Sequence, residues 1–241
     1  MPTKIDWADE VINPQGWGCY GPGGTPERPQ PCSYCYARRI AARNLRPCPL
    51  CREFTPHWHS EQLDKPHHWK KPRRIFVQSM GDLMHPCTPE FQIHLVQRMA
   101  IALPRHTFIL LTKNTGRYEE FNPWPDNCWV GGTITNQPDA DARVDGLLRA
   151  DAKIRFVSHE PLLGAIKMYR WSWLMRDKDN RLYINWAIIG AMTGRGAVKV
   201  EPAWVVNLEA QYQAAGVPVF EKDSLLPLCA PGALLLRNWP T

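Results

Sequence analysis

The 241-residue chain has no apolar run approaching the roughly 18 residues that span a bilayer, and its first residues, MPTKIDWADEV, hold no apolar signal-peptide core. A cytoplasmic protein without a membrane partner is therefore expected. Internal repeats and low-complexity tracts are also missing. So is a spaced glycine motif for phosphate: Gly190, Gly194 and Gly196 in IGAMTGRGA permit close backbone approach to a ligand but do not carry that fingerprint. Charge of one sign is only mildly in excess, with 29 Lys and Arg against 23 Asp and Glu for a net +6, which is compatible with a polyanionic partner without requiring one. At 44% hydrophobic and 22% charged, the composition is that of a globular chain and excludes wholesale disorder.

The length suits one full-sized α/β domain, residues 1–241, carrying a local insertion at 45–72. Beyond residue 73, short β-rich apolar runs alternate with helical patterns, as expected of βα units in a parallel sheet. Six strands are predicted: Arg74–Met80, Thr107–Lys113, Trp129–Thr135, Ile154–His159, Trp186–Ala191 and Pro218–Lys222, with a seventh near Gly16–Cys19. Helices are predicted over Pro89–Ala102, Asp139–Ala150 and Pro202–Ala215, the last stopped by Gly216. A further helix is expected at Tyr34–Asn44, and Tyr169–Leu182 reads as a surface excursion or hairpin. The alternation alone allows an open doubly wound sheet or a closed or partial (β/α) barrel; either way, chemistry belongs at the carboxyl ends of the strands.

Eight cysteines in a reducing compartment point to metal or cluster binding rather than a disulfide framework. Cys32 and Cys35 in CSYCYA have the two-residue gap that lets two thiolates grip one centre, and Cys19 lies upstream across a Gly/Pro-rich loop. Three thiolates leave one iron of a [4Fe–4S] cubane open to a cofactor, whereas tetrahedral zinc would want a fourth Cys or His. The helix after Cys35 would offer its N-terminal dipole to anionic sulfur. A second group, Cys48 and Cys51 followed by His57 and His59, reads as C-x2-C-x5-H-x-H, which suits a small structural zinc site; extra cluster ligands, or no metal, are the alternatives. Cys87, Cys128 and Cys229 read as ordinary thiols.

The CxxCYA pattern resembles the cluster loop of radical S-adenosylmethionine (SAM) enzymes, although their usual spacing of three then two residues is twelve then two here. Nearly end to end, the chain resembles a phage-associated family of three-cysteine-motif, radical-SAM-like proteins. The resemblance is carried by WGC at Trp17–Cys19, PCSYCYARRIAARN at Pro31–Asn44, HWKKPRRIFVQSMGDLMH at His68–His85, TFILLTK at Thr107–Lys113, FVSHEPLLG at Phe156–Gly164 and AAGVPVFEK at Ala214–Lys222. Where that family commonly has Gly-Gly-Glu-Ser-Gly, this chain has GAMTG. The resemblance implies a partial or irregular parallel (β/α) barrel with the cluster loop after its first strand, SAM as cofactor, and its reductive cleavage to a 5′-deoxyadenosyl radical. It also implies a dedicated partner protein encoded nearby.

Polar groups that end successive predicted strands are the candidates for holding cofactor and substrate. Ser79 and Asp82 follow the first of these strands, and in the radical SAM reading would receive the methionine amino group. Lys113 would pair with the cofactor carboxylate. Asn136 follows the third strand. Glu160 follows the fourth, with Pro161 fixing the chain behind it, and would take a ribose hydroxyl or a substrate proton; Lys222 closes the set. Lys65–Arg74 interleaves Trp69 with cations, a composition suited to a nucleic-acid or nucleotide substrate. A zinc-containing nucleic-acid-binding protein without radical chemistry is the competing function, and a cluster protein serving as electron carrier or sensor is a third.

Overall fold

The computed structural model describes residues 3–43, 47–168, 171–175, 183–194, 196–229 and 234–240. Seven strands form one sheet: β1 Glu10–Ile12, β2 Arg74–Val77, β3 Thr107–Thr112, β4 Cys128–Thr133, β5 Ile154–His159, β6 Trp186–Ile189 and β7 Val219–Glu221. All six pairings are parallel, and the spatial order follows the chain from β1 to β7 without reversal. A doubly wound sheet must reverse direction at a switch point. Strict succession, with every crossover of the same hand, instead curls the sheet around its inner face. The result is a half-barrel with flanking helices, a partial TIM-like α/β fold.

Strand alternation divides the apolar residues into two clusters. Ile75, Val77, Phe108, Leu110, Val130, Val157, Ala187 and Val219 face outward, into the main core. The elements covering that face include α3 (Glu90–Ala102), α4 (Gln137–Leu148) and α6 (Pro202–Ala215), which contribute Ile93, Val96, Val144, Leu147, Leu208 and Tyr212. The alternate residues Phe76, Ile109, Phe156, Trp186, Ile188 and Phe220 face inward with Trp7. At Gly131, between the inward Trp129 and Thr133 of β4, there is no room for a side chain, since a Cβ there would lie 2.3 Å from the Phe156 ring.

The gap between the edge strands β1 and β7 is filled by the two ends of the chain. Trp7 packs on Phe76 with ring centroids 4.7 Å apart, and Trp239 stacks on Trp186 at 5.0 Å. Arg237 reaches across to Asp6 at 3.7 Å and to Asp223. Glu221 N donates to Leu236 O at 2.8 Å, so the C-terminal segment satisfies the exposed edge of β7.

Most predicted elements are present with trimmed ends. The seventh strand lies earlier than expected, at Glu10–Ile12; Gly18 makes only an isolated parallel bridge to Gly81. The helix expected at Tyr34–Asn44 is shorter, α1 Tyr36–Ala41, because Cys35 is its N-cap; Asn44 lies outside the described residues. Gly216, at φ +73°, ends α6 as expected. Within the insertion, the described part from residue 47 contains α2 (Pro49–Arg52) and two short 3-10 turns. Most of Tyr169–Leu182 lies outside the described residues; its one described element is the turn α5, Trp171–Leu174. No helix among the described residues is long and apolar enough to cross a membrane.

Candidate active site and metal group

Above the inner aromatic layer, at the carboxyl ends of the strands, lies a cavity of about 710 Å³. Cys19, Cys32 and Cys35 all line it, with Ser79, Asp82, Lys113, Glu160 and Lys222. The β1–β2 crossover thus delivers the three thiols and β2, β3, β5 and β7 deliver the polar groups, although 203 residues separate the ends of that set.

The cysteines are half-buried and free. Gly21 N donates to Cys19 Sγ at 3.2 Å and Arg38 N to Cys35 Sγ at 3.4 Å, the amide donation that sulfur ligands use to spread negative charge. Burial, and then the charge of Asp82, push the Cys19 thiol up to about 12. A cation bound at that sulfur would displace the proton that burial holds there. The three cysteines are not drawn into a single-ion group, and a cubane needs its thiolates spread around it.

Asp82 is fully engaged. Oδ1 accepts from Thr112 Oγ1 at 2.6 Å and Met84 N at 3.1 Å; Oδ2 accepts from Asn114 Nδ2 at 2.9 Å and Lys113 N at 3.1 Å. Four donors occupy the four acceptor positions of a carboxylate, so Asp82 pins the end of β3 to the loop after β2 and contributes its charge to the cavity. Lys113 Nζ lies 5.5 Å from the Tyr34 ring centroid. Burial works against its charge, but Tyr34, Cys32 and Asp82 more than offset it and the pKa rises. The ammonium is held charged beside the cysteines. Lys222 Nζ pairs with Glu160 across the β5–β7 side. Gly190 makes room for them, since its Cβ would meet Lys222 Cδ at 3.1 Å and Glu160 Cγ at 3.3 Å. The glycine expected to admit a ligand's approach thus accommodates an ion pair.

Asn136 is placed elsewhere. Its side chain caps α4, accepting from Asp139 N at 3.0 Å, and it is not among the cavity residues. His159 points outward, donating to Ile134 O from Nδ1 at 2.7 Å while Nε2 meets the Tyr212 hydroxyl at 2.7 Å. Tyr36, the aromatic that follows Cys35 in the motif, lines the cavity, and two further cavity residues, Gln78 and Trp7, were not singled out from the pattern. Tyr36 donates its hydroxyl to Ser79 O. Gln78, buried at φ +66°, receives Gln15 N at 2.9 Å and donates to Gly16 O at 2.9 Å. Trp7 is buried against the cavity floor, its indole Nε1 without a partner among the described residues. Continuing the inward phase of β2 past Val77 would have found Gln78; nothing local marks Trp7.

The second group is compact. The ligand atoms of Cys48, Cys51, His57 and His59 lie within 4.8 Å of one another. Sulfur–nitrogen separations are 3.2 Å (Cys48–His57), 3.5 Å (Cys51–His57) and 3.6 Å (Cys51–His59). A tetrahedral zinc with bonds of about 2.3 Å to sulfur and about 2.0 Å to nitrogen has sulfur–nitrogen edges of about 3.5 Å. His57 Nδ1 is held by Thr55 O at 2.7 Å and His59 Nδ1 by Glu61 Oε1 at 2.8 Å. Those acceptors keep the ring protons on Nδ1 and turn the Nε2 lone pairs inward. The two Nε2 atoms stand 2.8 Å apart, a repulsive contact unless an electron-pair acceptor lies between them. The donors, their sulfur–nitrogen edges and their outer partners fit a bound metal, which would draw the two Nε2 atoms out to about 3.3 Å.

A second groove of about 700 Å³ runs beside β1, lined by Lys4, Trp17, Lys65 and Trp69, and shares Ile5, Tyr36, Ile40 and Ser79 with the cavity. Trp69 is half-buried against the core, edge-on to His106 at 6.2 Å, rather than displayed as a free stacking face.

A family model described as protein of unknown function (DUF5131) matches residues 2–224. No curated protein and no solved structure matches the chain.

Proposed function

The chain belongs to the DUF5131 family, and on the cavity's own chemistry we propose that it is a radical SAM-type enzyme whose [4Fe–4S] cluster is held by Cys19, Cys32 and Cys35, with zinc in the Cys48, Cys51, His57, His59 group. The observation that carries this reading is the convergence of three thiols and a charged lysine on one cavity at the carboxyl ends of a parallel half-barrel. When bound, the cluster and SAM supply an electron and a sulfonium whose carbon–sulfur bond breaks to methionine and a 5′-deoxyadenosyl radical.

The protein's residues supply position and charge. Lys113, whose charge its neighbours favour, would pair with the methionine carboxylate. Asp82 fixes the backbone of Lys113 through its amide and sets a negative field near Cys19, which favours a cationic group there. Glu160 and Lys222 offer an acceptor and a donor to a ribose or substrate hydroxyl on the opposite wall. The aromatic floor, which includes Trp7, excludes water from beneath. A nucleotide or nucleic acid is the proposed substrate class, supported by Lys4 and Lys65 in the adjoining groove.

The test is anaerobic reconstitution with iron and sulfide, dithionite reduction with SAM, and chromatography for 5′-deoxyadenosine. A broad absorbance near 400 nm, followed by nucleoside that Cys32→Ala abolishes, is expected. Protein that takes up zinc alone and forms no cubane would replace this reading with the zinc-containing binding protein.

A further inference from the structure

We infer that the metal held by Cys48, Cys51, His57 and His59 is a clamp on the segment that delivers Cys19, so that order at the cavity rim depends on an ion bound outside it. Only the last consequence, retention of iron, rests on the reading of Cys19 as a cluster ligand.

Residues 14–18 are sandwiched between two structures. On one side is the carboxyl end of β2: Gln78 grips Gln15 N and Gly16 O, Gly18 N donates to Met80 O at 3.0 Å, and Gly18 bridges Gly81. On the other side is the metal-binding segment itself. His59 N donates to Pro14 O at 2.6 Å and His57 N to Gln15 O at 3.4 Å. The contact is closed to side chains. A Cβ on Gly16, at φ +60°, would lie 2.5 Å from His57 Cε1 and 2.9 Å from His59 Cδ2, and one on Gly18 would lie 2.3 Å from Pro56 N. The metal-binding imidazoles are therefore the outer wall of residues 14–18, and Cys19 is the next residue along.

Among the described residues that wall is otherwise held by Thr55 N donating to Leu50 O of α2 at 2.9 Å and by Trp58 edge-on to Phe91 at 6.3 Å, neither of which reaches the imidazoles. α2 is four residues long, too short to persist by its own hydrogen bonds, and Cys48 caps it without a side-chain bond. Among the described residues, the imidazole Nε2 atoms face α2 through the two sulfurs, with the ion between them. With the ion gone, the imidazoles lose their link to the two sulfurs, and the rings that wall Gly16 and the backbone bonds to Pro14 and Gln15 are free to loosen.

Hydrogen exchange on the full chain, anaerobic and free of cluster, tests this by comparing zinc-loaded protein with protein stripped by a chelator. The amides of Gly16, Gly18, His57 and His59 should exchange about tenfold faster or more on stripping, and one equivalent of Zn²⁺ should restore them, while amides of β4 and β5 stay unchanged. Cys48→Ser should reproduce the stripped pattern without chelator, and after reconstitution should retain less iron than wild type. Isolated protein that binds no zinc, or a stripped protein whose residues 14–18 exchange as before, would overturn the clamp. Loss of protection across β4 and β5 as well would overturn it as a local device. Zinc-responsive exchange in a protein that takes no iron would uphold the clamp and sink the cluster reading alone.

Discussion

Cys32–Cys35 and Cys48–Cys51 have the same two-residue gap, and in each pair one cysteine caps a short helix, Cys35 before α1 and Cys48 before α2. They nevertheless build different sites. After Cys51 the chain turns back at once, and two imidazoles arrive within eight residues to enclose a volume that suits one ion. After Cys35 it runs away as a helix, and the third sulfur comes from a segment that β2 holds in place. Closing a short loop concentrates donors, whereas recruiting a ligand through the sheet spreads them around a cavity. The electrostatics diverge in the same way. Cys48, helped first by the Cys51 amide and then by His59, Cys51 and His57, is lowered to about 6, while Cys19 is pushed up to about 12 by burial and Asp82.

The sharpest way to break this contrast is Cys32→Ala. It should lower the absorbance near 400 nm and the yield of 5′-deoxyadenosine to background while one equivalent of zinc remains; loss of both metals together would show a single shared site. Next in size is alkylation of metal-free protein at neutral pH, read by peptide mass spectrometry. Cys48, which keeps the Cys51 amide of its own turn when the imidazoles loosen, should still react as a thiolate and Cys19 more than about a hundredfold slower, since only thiolate attacks; comparable rates would erase the distinction.

His159, on the opposite face of the sheet, sharpens the comparison by standing outside both sites. Burial lowers its pKa to about 4 from an ordinary 6.5, so the unfolded chain takes up the proton first as pH falls. Its contribution is complete above about pH 6.5 and should shrink by about 3 kcal/mol as pH drops towards 4. Denaturant melts of wild type and His159→Gln across that window should differ in slope, with zinc content unaffected; parallel slopes would show that the imidazole is not buried neutral. The smallest effect expected is that of Asp82→Asn. It leaves one amide NH₂ facing donors and should cost about 2 kcal/mol of stability. It should also raise the reactivity of Cys19 without changing that of Cys48. An unchanged Cys19 would remove Asp82 from the cavity's electrostatics.

The strands and helices after residue 73 were legible because period-2 and period-3.6 patterns record burial directly. The first strand was not. Glu10–Ile12 is three residues long and only Ile12 is fully buried, while the glycine-rich run at 16–19 looks like a strand and makes one bridge. The two cysteine groups could be named from spacing, and the Cys48 group closed as its spacing suggested, because a twelve-residue loop has few ways to bring four donors together. Asn136 lies at a strand end like its neighbours, yet its side chain turns to cap α4; a strand-end position does not say which way a short amide points.

By itself, the sequence determined that the chain builds a parallel α/β sheet and that Cys48, Cys51, His57 and His59 form a group able to hold a metal, since both depend on residue type at short range. Only the tertiary structure decided that the sheet curls rather than double-winds, because that follows from the spatial order of strands far apart in the chain. It alone showed that Cys19, Lys113, Glu160 and Lys222 share one cavity. It alone placed His57 and His59 against Gly16, joining two cysteine groups that spacing treats as separate. Contacts of that kind are set by packing between segments, and no local pattern encodes them.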